Sequence, residues 1–231
     1  MIKTKEDLKK YIAADKIELE KNSNPKWMRF LLRGDIYMSF KLERVLRYSE
    51  YYRNNRHRGF YFKVMDIIYK LRYSWLQNRY DCHIAPNSCG PGLRITHPRG
   101  IMVSWDAKIG RNVGIRRNVL LGNSLYDHKA PIVGDFVQFG VGSQAVGDIL
   151  IGRGAIVSNN AVVMRKVPPY AIVAGNPAKI IGFTMKPLEA FEFEKDIYPE
   201  EELTPLETLQ KNYKKYYTSR FKDINKMTSL C

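Results

Sequence analysis

From residue 103 onward the apolar positions recur every sixth residue, rather than every second residue or every 3.6. Val103, Ile109, Ile115 and Leu121 are evenly spaced; after a gap of twelve the series resumes at Val133, Phe139, Ala145, Ile151, Val157 and Val163. With 45% apolar residues in the chain, such a series arises by chance in roughly a few cases per thousand. Glycine follows the apolar residue at Gly110, Gly122, Gly134, Gly140 and Gly152, and a small or aliphatic residue stands four places after it, as at Ala107, Val113, Val119, Ser143 and Ala161. A hexad of this kind predicts a parallel β-helix in which the aliphatic residue enters a narrow core and glycine permits a tight corner. Three hexads close a coil of about 18 residues, so the stretch predicts four to five coils. The missing hexads, at residues 123–132, predict a loop thrown out from one coil, and such loops are where chemistry concentrates.

The flanking segments follow a helical pattern. Asn24-Pro25 reads as a cap followed by a first helical position, 35–55 and 60–77 read as helices broken at Arg58-Gly59, and 204–226 reads as a tail helix. Thr204-Pro205 stands at the start of that tail, with Glu207 as a capping-box partner and Pro187 and Pro199 punctuating the approach. The expected organisation is therefore a helical region at 1–80, a β-helix at 81–183 and a helical tail at 184–231.

Charge sharpens this division. The net +15 is distributed as +10 over residues 1–80, +6 over 81–183 and −1 over 184–231. Aromatics alternate with Arg and Lys through the front, a mixture found on single-strand nucleic-acid surfaces. At helical spacing it reads better as a packed face with basic stems lying along it, so no nucleic-acid partner is expected. No run of about 18 uncharged apolar residues exists, and the start lacks the apolar stretch of a signal peptide, so a soluble cytoplasmic protein is expected. Cys82, Cys89 and Cys231 form neither a zinc pattern nor a paired framework and read as reduced thiols.

Three stretches carry a resemblance to a known family: residues 91–103 (PGLRITHPRGIMV), Asp127-His128 in the gap, and residues 167–179 (VPPYAIVAGNPAK). They resemble the left-handed β-helix acyltransferases, in the serine acetyltransferase-like branch that includes polysaccharide O-acetyltransferases. The resemblance implies an α+β chain with a left-handed parallel β-helix, assembled as a homotrimer with sites between neighbouring helices. It implies acetyl-CoA as co-substrate, no metal, His97 as the general base, and His128 near the thioester or acceptor. Asp81 would orient His97, at a spacing one residue longer than the family pattern. Asn123, Gly142 and Asn159 match coenzyme-contacting positions, with Lys166 or Lys179 meeting the nucleotide phosphates.

Thr96, Arg99 and Asp127 fall on the acceptor side. Serine acetyltransferases usually carry Asp where this chain has Thr96 and Arg where it has Asp127, so both charged partners of a zwitterionic amino acid are missing there. The expected acceptor is therefore a saccharide or polysaccharide-precursor hydroxyl, with serine as the alternative. The basic front would then face an anionic glycan or membrane surface. Two further readings stand beside this: a zinc-dependent carbonic-anhydrase-like site built from His83, His97 and His128, whose separations do not resemble that family's, and a non-catalytic scaffold. His57, between Arg56 and Arg58, reads as a surface residue.

Overall fold

The computed structural model describes residues 1–20 and 34–228. The expected cap at Asn24-Pro25 and the thiol of Cys231 lie outside the described residues. Among the described residues three helices precede the strands: α1 (Lys5–Glu20), α2 (Asp35–Asn54) and α3 (Phe60–Tyr80), with a 3-10 turn at Arg56–Arg58 that leaves His57 exposed. Fourteen short strands, numbered in chain order, then build a left-handed β-helix with three faces. Face one holds β1 (Cys82–Ile84), β3 (Ile101–Val103), β6 (Leu120–Gly122), β9 (Gln144–Val146) and β12 (Val162–Val163). Face two holds β4 (Lys108–Ile109), β7 (Ile132–Val133) and β10 (Leu150–Ile151). Face three holds β2 (Arg94–Thr96), β5 (Gly114–Arg116), β8 (Gln138–Phe139), β11 (Ile156–Val157) and β13 (Ala171–Ala174), closed by the antiparallel β14 (Lys179–Phe183). The chain finishes with α4 (Pro187–Lys195) and α5 (Leu206–Thr228).

The hexad explains this register. Val103 pairs with Leu121, Leu121 with Ala145 and Ala145 with Val163, so every third hexad returns to the same face one coil higher. All ten hexad residues are at most 5% exposed, and each fully buried aliphatic among them contributes about 1.5–3 kcal/mol. Gly110, Gly134, Gly140 and Gly152 serve a different purpose from the one expected. Gly134 has ordinary φ, but a Cβ there would stand 2.7 Å from the Arg153 backbone nitrogen of the next coil. What excludes a side chain is the neighbouring coil. The left-handed corner residues come two places later, as at Asn112, Phe136, Gly142 and Gly154.

The front helices seal the first coil. Leu42, Leu46, Tyr73 and Leu76 join the β-helix core as one cluster, and the Tyr73 hydroxyl donates to the Ile84 carbonyl at 2.7 Å. Arg47, fully buried, uses its whole guanidinium: on the Asp15 and Glu50 carboxylates and on the carbonyls of Cys89 and Gly90. Asp15 also accepts from the Gly92 and Leu93 N–H groups, and Glu43 accepts from Ile95 N–H. These side chains satisfy strand-end groups that have no coil beneath them to pair with. The thiols of Cys82 and Cys89 are buried and unpaired, and burial pushes Cys89 up to about 12.

At the far end α4 and α5 dock through Glu194, which is fully buried and accepts from the Tyr170 hydroxyl, Arg153 and both the N–H and hydroxyl of Thr204. The expected capping box at the tail is thus replaced: Thr204 is engaged by Glu194, and at the start of α4 the Glu189 carboxylate accepts from Lys186 N–H at 3.1 Å. In the front, Tyr48, Tyr52 and Tyr69 stack on one another at 5.1 to 6.5 Å, so these aromatics are consumed in packing.

Candidate active site

β2 delivers Thr96 and His97 to the edge where face three turns into face one. His97 sits there with φ 59°, the left-handed corner conformation, which swings its ring out of the sheet. The imidazole is about half exposed, and its Nδ1–H donates to the carboxylate of Asp35, the first residue of α2. A carboxylate on Nδ1 sets the tautomer and leaves the Nε2 lone pair available to take a proton. The cleft at this point measures about 490 Å³ and is lined by Asp35, Arg94, Thr96, His97, Arg116 and Gln138. Register places Arg94 beside Gly114 and Thr96 beside Arg116, and the Arg94 guanidinium donates to Gln138 Oε1 at 2.6 Å.

Asp35 is the residue that sequence reasoning missed. The expected partner, Asp81, caps the C-terminus of α3 with φ 50°, and its carboxylate stands 3.9 Å from His83 Nε2 instead. Sixty-two positions separate Asp35 from His97, and no local pattern links them.

The remaining expected site residues divide between two edges of the β-helix. Gly142 and Asn159 lie on the His97 edge, in higher coils. Gly142 has φ 70°, and Asn159 Oδ1 accepts from Val141 N–H at 2.9 Å. Arg99 is exposed at the His97 corner, two residues on. Lys179 is exposed where β14 begins beside Ala174. His128, Asp127, Asn123 and Lys166 lie on the other edge, between faces one and two. There Asn123 donates to the Asp106 carboxylate and the His128 carbonyl and bonds to Ser104, so its side chain pins the base of the excursion. Asp127 accepts from Lys129 N–H, which holds its carboxyl below the ordinary range. His97 and His128 therefore do not meet within one chain.

His83 lies on face one, in β1, and does not group with His97 and His128. Among the described residues no group of three or more His, Cys, Asp or Glu side chains is arranged to hold a metal ion. His83 instead lines a larger cleft of about 670 Å³ between the front helices and face one, beside Arg53, Lys70 and Trp105.

With this geometry in view, comparison with known proteins is informative. No family profile matches the chain. Serine acetyltransferase 4 of Arabidopsis thaliana is 38% identical over 96 residues, 41% of this chain and 27% of that protein. The serine acetyltransferase of Mycobacterium tuberculosis is 38% identical over 95 residues, 40% of this chain and 42% of its own length. The chain thus spans less than half the length of these curated relatives. Among solved structures, soybean serine acetyltransferase superposes with a TM-score of 0.63 at 27% identity, covering 76% of this chain and 69% of that one. The same enzyme complexed with serine gives 0.63 at 26%. The chain is serine acetyltransferase-like, with the left-handed β-helix of those proteins.

Proposed function

We propose that this serine acetyltransferase-like chain transfers an acetyl group from acetyl-CoA to the hydroxyl of serine, with His97 as general base. The observation that carries the reading is the Asp35–His97 pair opening on a cleft that also holds Arg94 and Arg116. In the step proposed, His97 Nε2 takes the acceptor hydroxyl proton as that oxygen bonds to the acetyl carbon. The carbon–sulfur bond breaks, and the proton passes from His97 to the departing thiolate.

The choice of serine over a saccharide rests on the relatives and on charges in the cleft. Thr96 and Asp127 lack the charges expected for an amino-acid acceptor, which by sequence favours a neutral hydroxyl. The fold brings other charges to the same place: Arg94 and Arg116 suit a carboxylate, and Asp35 suits an ammonium. A saccharide hydroxyl is the second reading, favoured by Thr96 directly before His97. The edge above His97 fits an extended pantetheine arm. Its corners are Asn118, Gly142 and Asn160, and a Cβ at Gly142 would collide with the Asn160 side chain, so the corner stays low. Lys179 is the exposed cation beyond it for phosphates. Coenzyme and His128 would share one site when this edge faces the other edge of a neighbouring copy, the arrangement that a trimer provides.

The deciding assay is release of CoA thiol from acetyl-CoA against serine and a panel of sugars. Serine-dependent release supports the reading; sugar-dependent release alone transfers it to the second, and none with any acceptor removes it. Arg116→Ala is expected to raise the KM for serine about 10- to 100-fold, the worth of a charge-assisted hydrogen bond, with a smaller change in kcat. Asp35→Asn is expected to lower kcat tenfold or more and to alter the pH–rate profile, whereas Asp81→Asn leaves both unchanged. The reverse pattern would return the orienting role to Asp81.

A further inference from the structure

Helix α3 is apolar on two opposite sides. At about 100° per residue, Tyr73, Leu76 and Tyr80 fall on one side and pack inward. Phe60, Val64, Ile67, Ile68, Leu71 and Trp75 fall on the other, and they are 82%, 36%, 58%, 48%, 66% and 59% exposed. From Phe60 to Trp75 this stripe runs about 22 Å. A contiguous exposed apolar strip of that length marks a binding surface, because isolated apolar residues scatter. Nothing in the proposed acetyl transfer uses it.

Charge identifies the occupant. Lys63 and Lys70 border the stripe on one side and Arg72 and Arg79 on the other, all exposed. The Lys41 ammonium lies 5.8 Å from the centre of the Trp75 ring. The single carboxylate on the helix, Asp66, is half-buried and faces the larger cleft. A second copy docked on this face, parallel or antiparallel, would set these cations against their own equivalents with no carboxylate between them. An apolar stripe flanked by cations and carrying a Trp near one end suits the headgroup boundary of an anionic bilayer, where the stripe enters the acyl region and the basic stems reach the headgroups. No helix among the described residues is long and apolar enough to cross a membrane, so the contact is one of lying in the surface.

We propose that the outward face of α3 is a peripheral membrane-binding surface for anionic lipid. The test is cosedimentation of the full chain with vesicles of phosphatidylcholine alone and of phosphatidylcholine containing about one third phosphatidylglycerol. Binding is expected to the anionic vesicles only, weakening at about 0.5 M salt. Ile67→Gln with Leu71→Gln is expected to reduce that binding tenfold or more, since each buried aliphatic is worth about a factor of ten. Lys63→Gln with Arg79→Gln is expected to cost about fivefold per cation. Both pairs are exposed, so circular dichroism and thiol release with a soluble acceptor should match the parent and show that the variants fold. Absence of binding to anionic vesicles overturns the proposal, as does binding that the Ile67/Leu71 pair leaves intact. Conversion of a larger assembly to a smaller one by that pair, with vesicle binding unchanged, would make the face a protein interface instead. Vesicle binding and circular dichroism do not depend on acetyl transfer, so the two proposals fail separately.

Discussion

His97→Ala is expected to lower kcat for acetyl transfer about 10²- to 10⁴-fold, the usual contribution of a positioned general base. The ring is half exposed and outside the core, so the thermal midpoint should hardly move. Thiol release measured beside a melting curve checks both halves of the expectation. Turnover within about twofold of the parent would end the assignment of His97 as base. A large loss of turnover together with a large loss of stability would instead place the residue in the structure of the corner.

Arg47→Met carries the second large effect, on stability. The substitution leaves Asp15 and Glu50 buried without their cation and deprives two carbonyls of the first coil of their donors. Breaking such a cluster from one side costs about 3–5 kcal/mol, to be read from denaturant unfolding at constant pH. A loss below about 1 kcal/mol would mean that the cluster is not what holds the front helices on the β-helix. The same cluster predicts a pH dependence. Burial first, and the Asp15 charge second, push the Glu43 carboxyl well above its ordinary 4.5. A carboxyl whose pKa is raised by folding contributes stability that is complete below its unfolded pKa and is lost as pH rises through its folded pKa. Glu43→Gln, which keeps an acceptor for Ile95 N–H, is therefore expected to remove that loss and flatten stability on the alkaline side of about 4.5. An unchanged pH profile would place the titration elsewhere.

The β-helix was legible because its code is local. A residue at one hexad meets the residue three hexads on, and Val103, Leu121, Ala145 and Val163 could be read as a stack before any coordinate was known. The glycines after the aliphatic positions were visible, but their reason was not. Tight corners and close coil spacing both call for glycine, and only the backbone of the next coil at Gly134 distinguishes them. The helical front was recognisable by spacing, yet its aromatic-basic alternation concealed two faces: one that packs on α2 and the β-helix, and one that is left outside. Spacing alone shows that α3 has apolar positions on both sides; which side the core takes is a tertiary fact.

The candidate site divides in the same way. His97 was found in the 91–103 stretch, next to Thr96, because the residues that shape its corner are consecutive. The family resemblance implies Asp81 as its partner, where the structure places Asp35 against His97 from a helix end 62 positions earlier. Asn123, read as a coenzyme contact, spends its amide on Asp106 and the excursion backbone, and His128 stands on another edge from His97. The acceptor reading moved for a like reason. Thr96 and Asp127 removed two charges from the local motif; Arg94, on the same strand as Thr96, and Arg116, stacked beside Thr96 from the next coil, bring charge back to one cleft.

By itself, then, the sequence determined the repeat, its faces, the buried columns and the histidine at the corner, since each follows from positions within one or two coils of each other. The tertiary structure alone decided which carboxylate meets His97 and which side of α3 is left exposed. Each of these depends on where a helix distant in the chain comes to rest against the first coils, a matter of packing and buried-charge pairing that no local periodicity encodes.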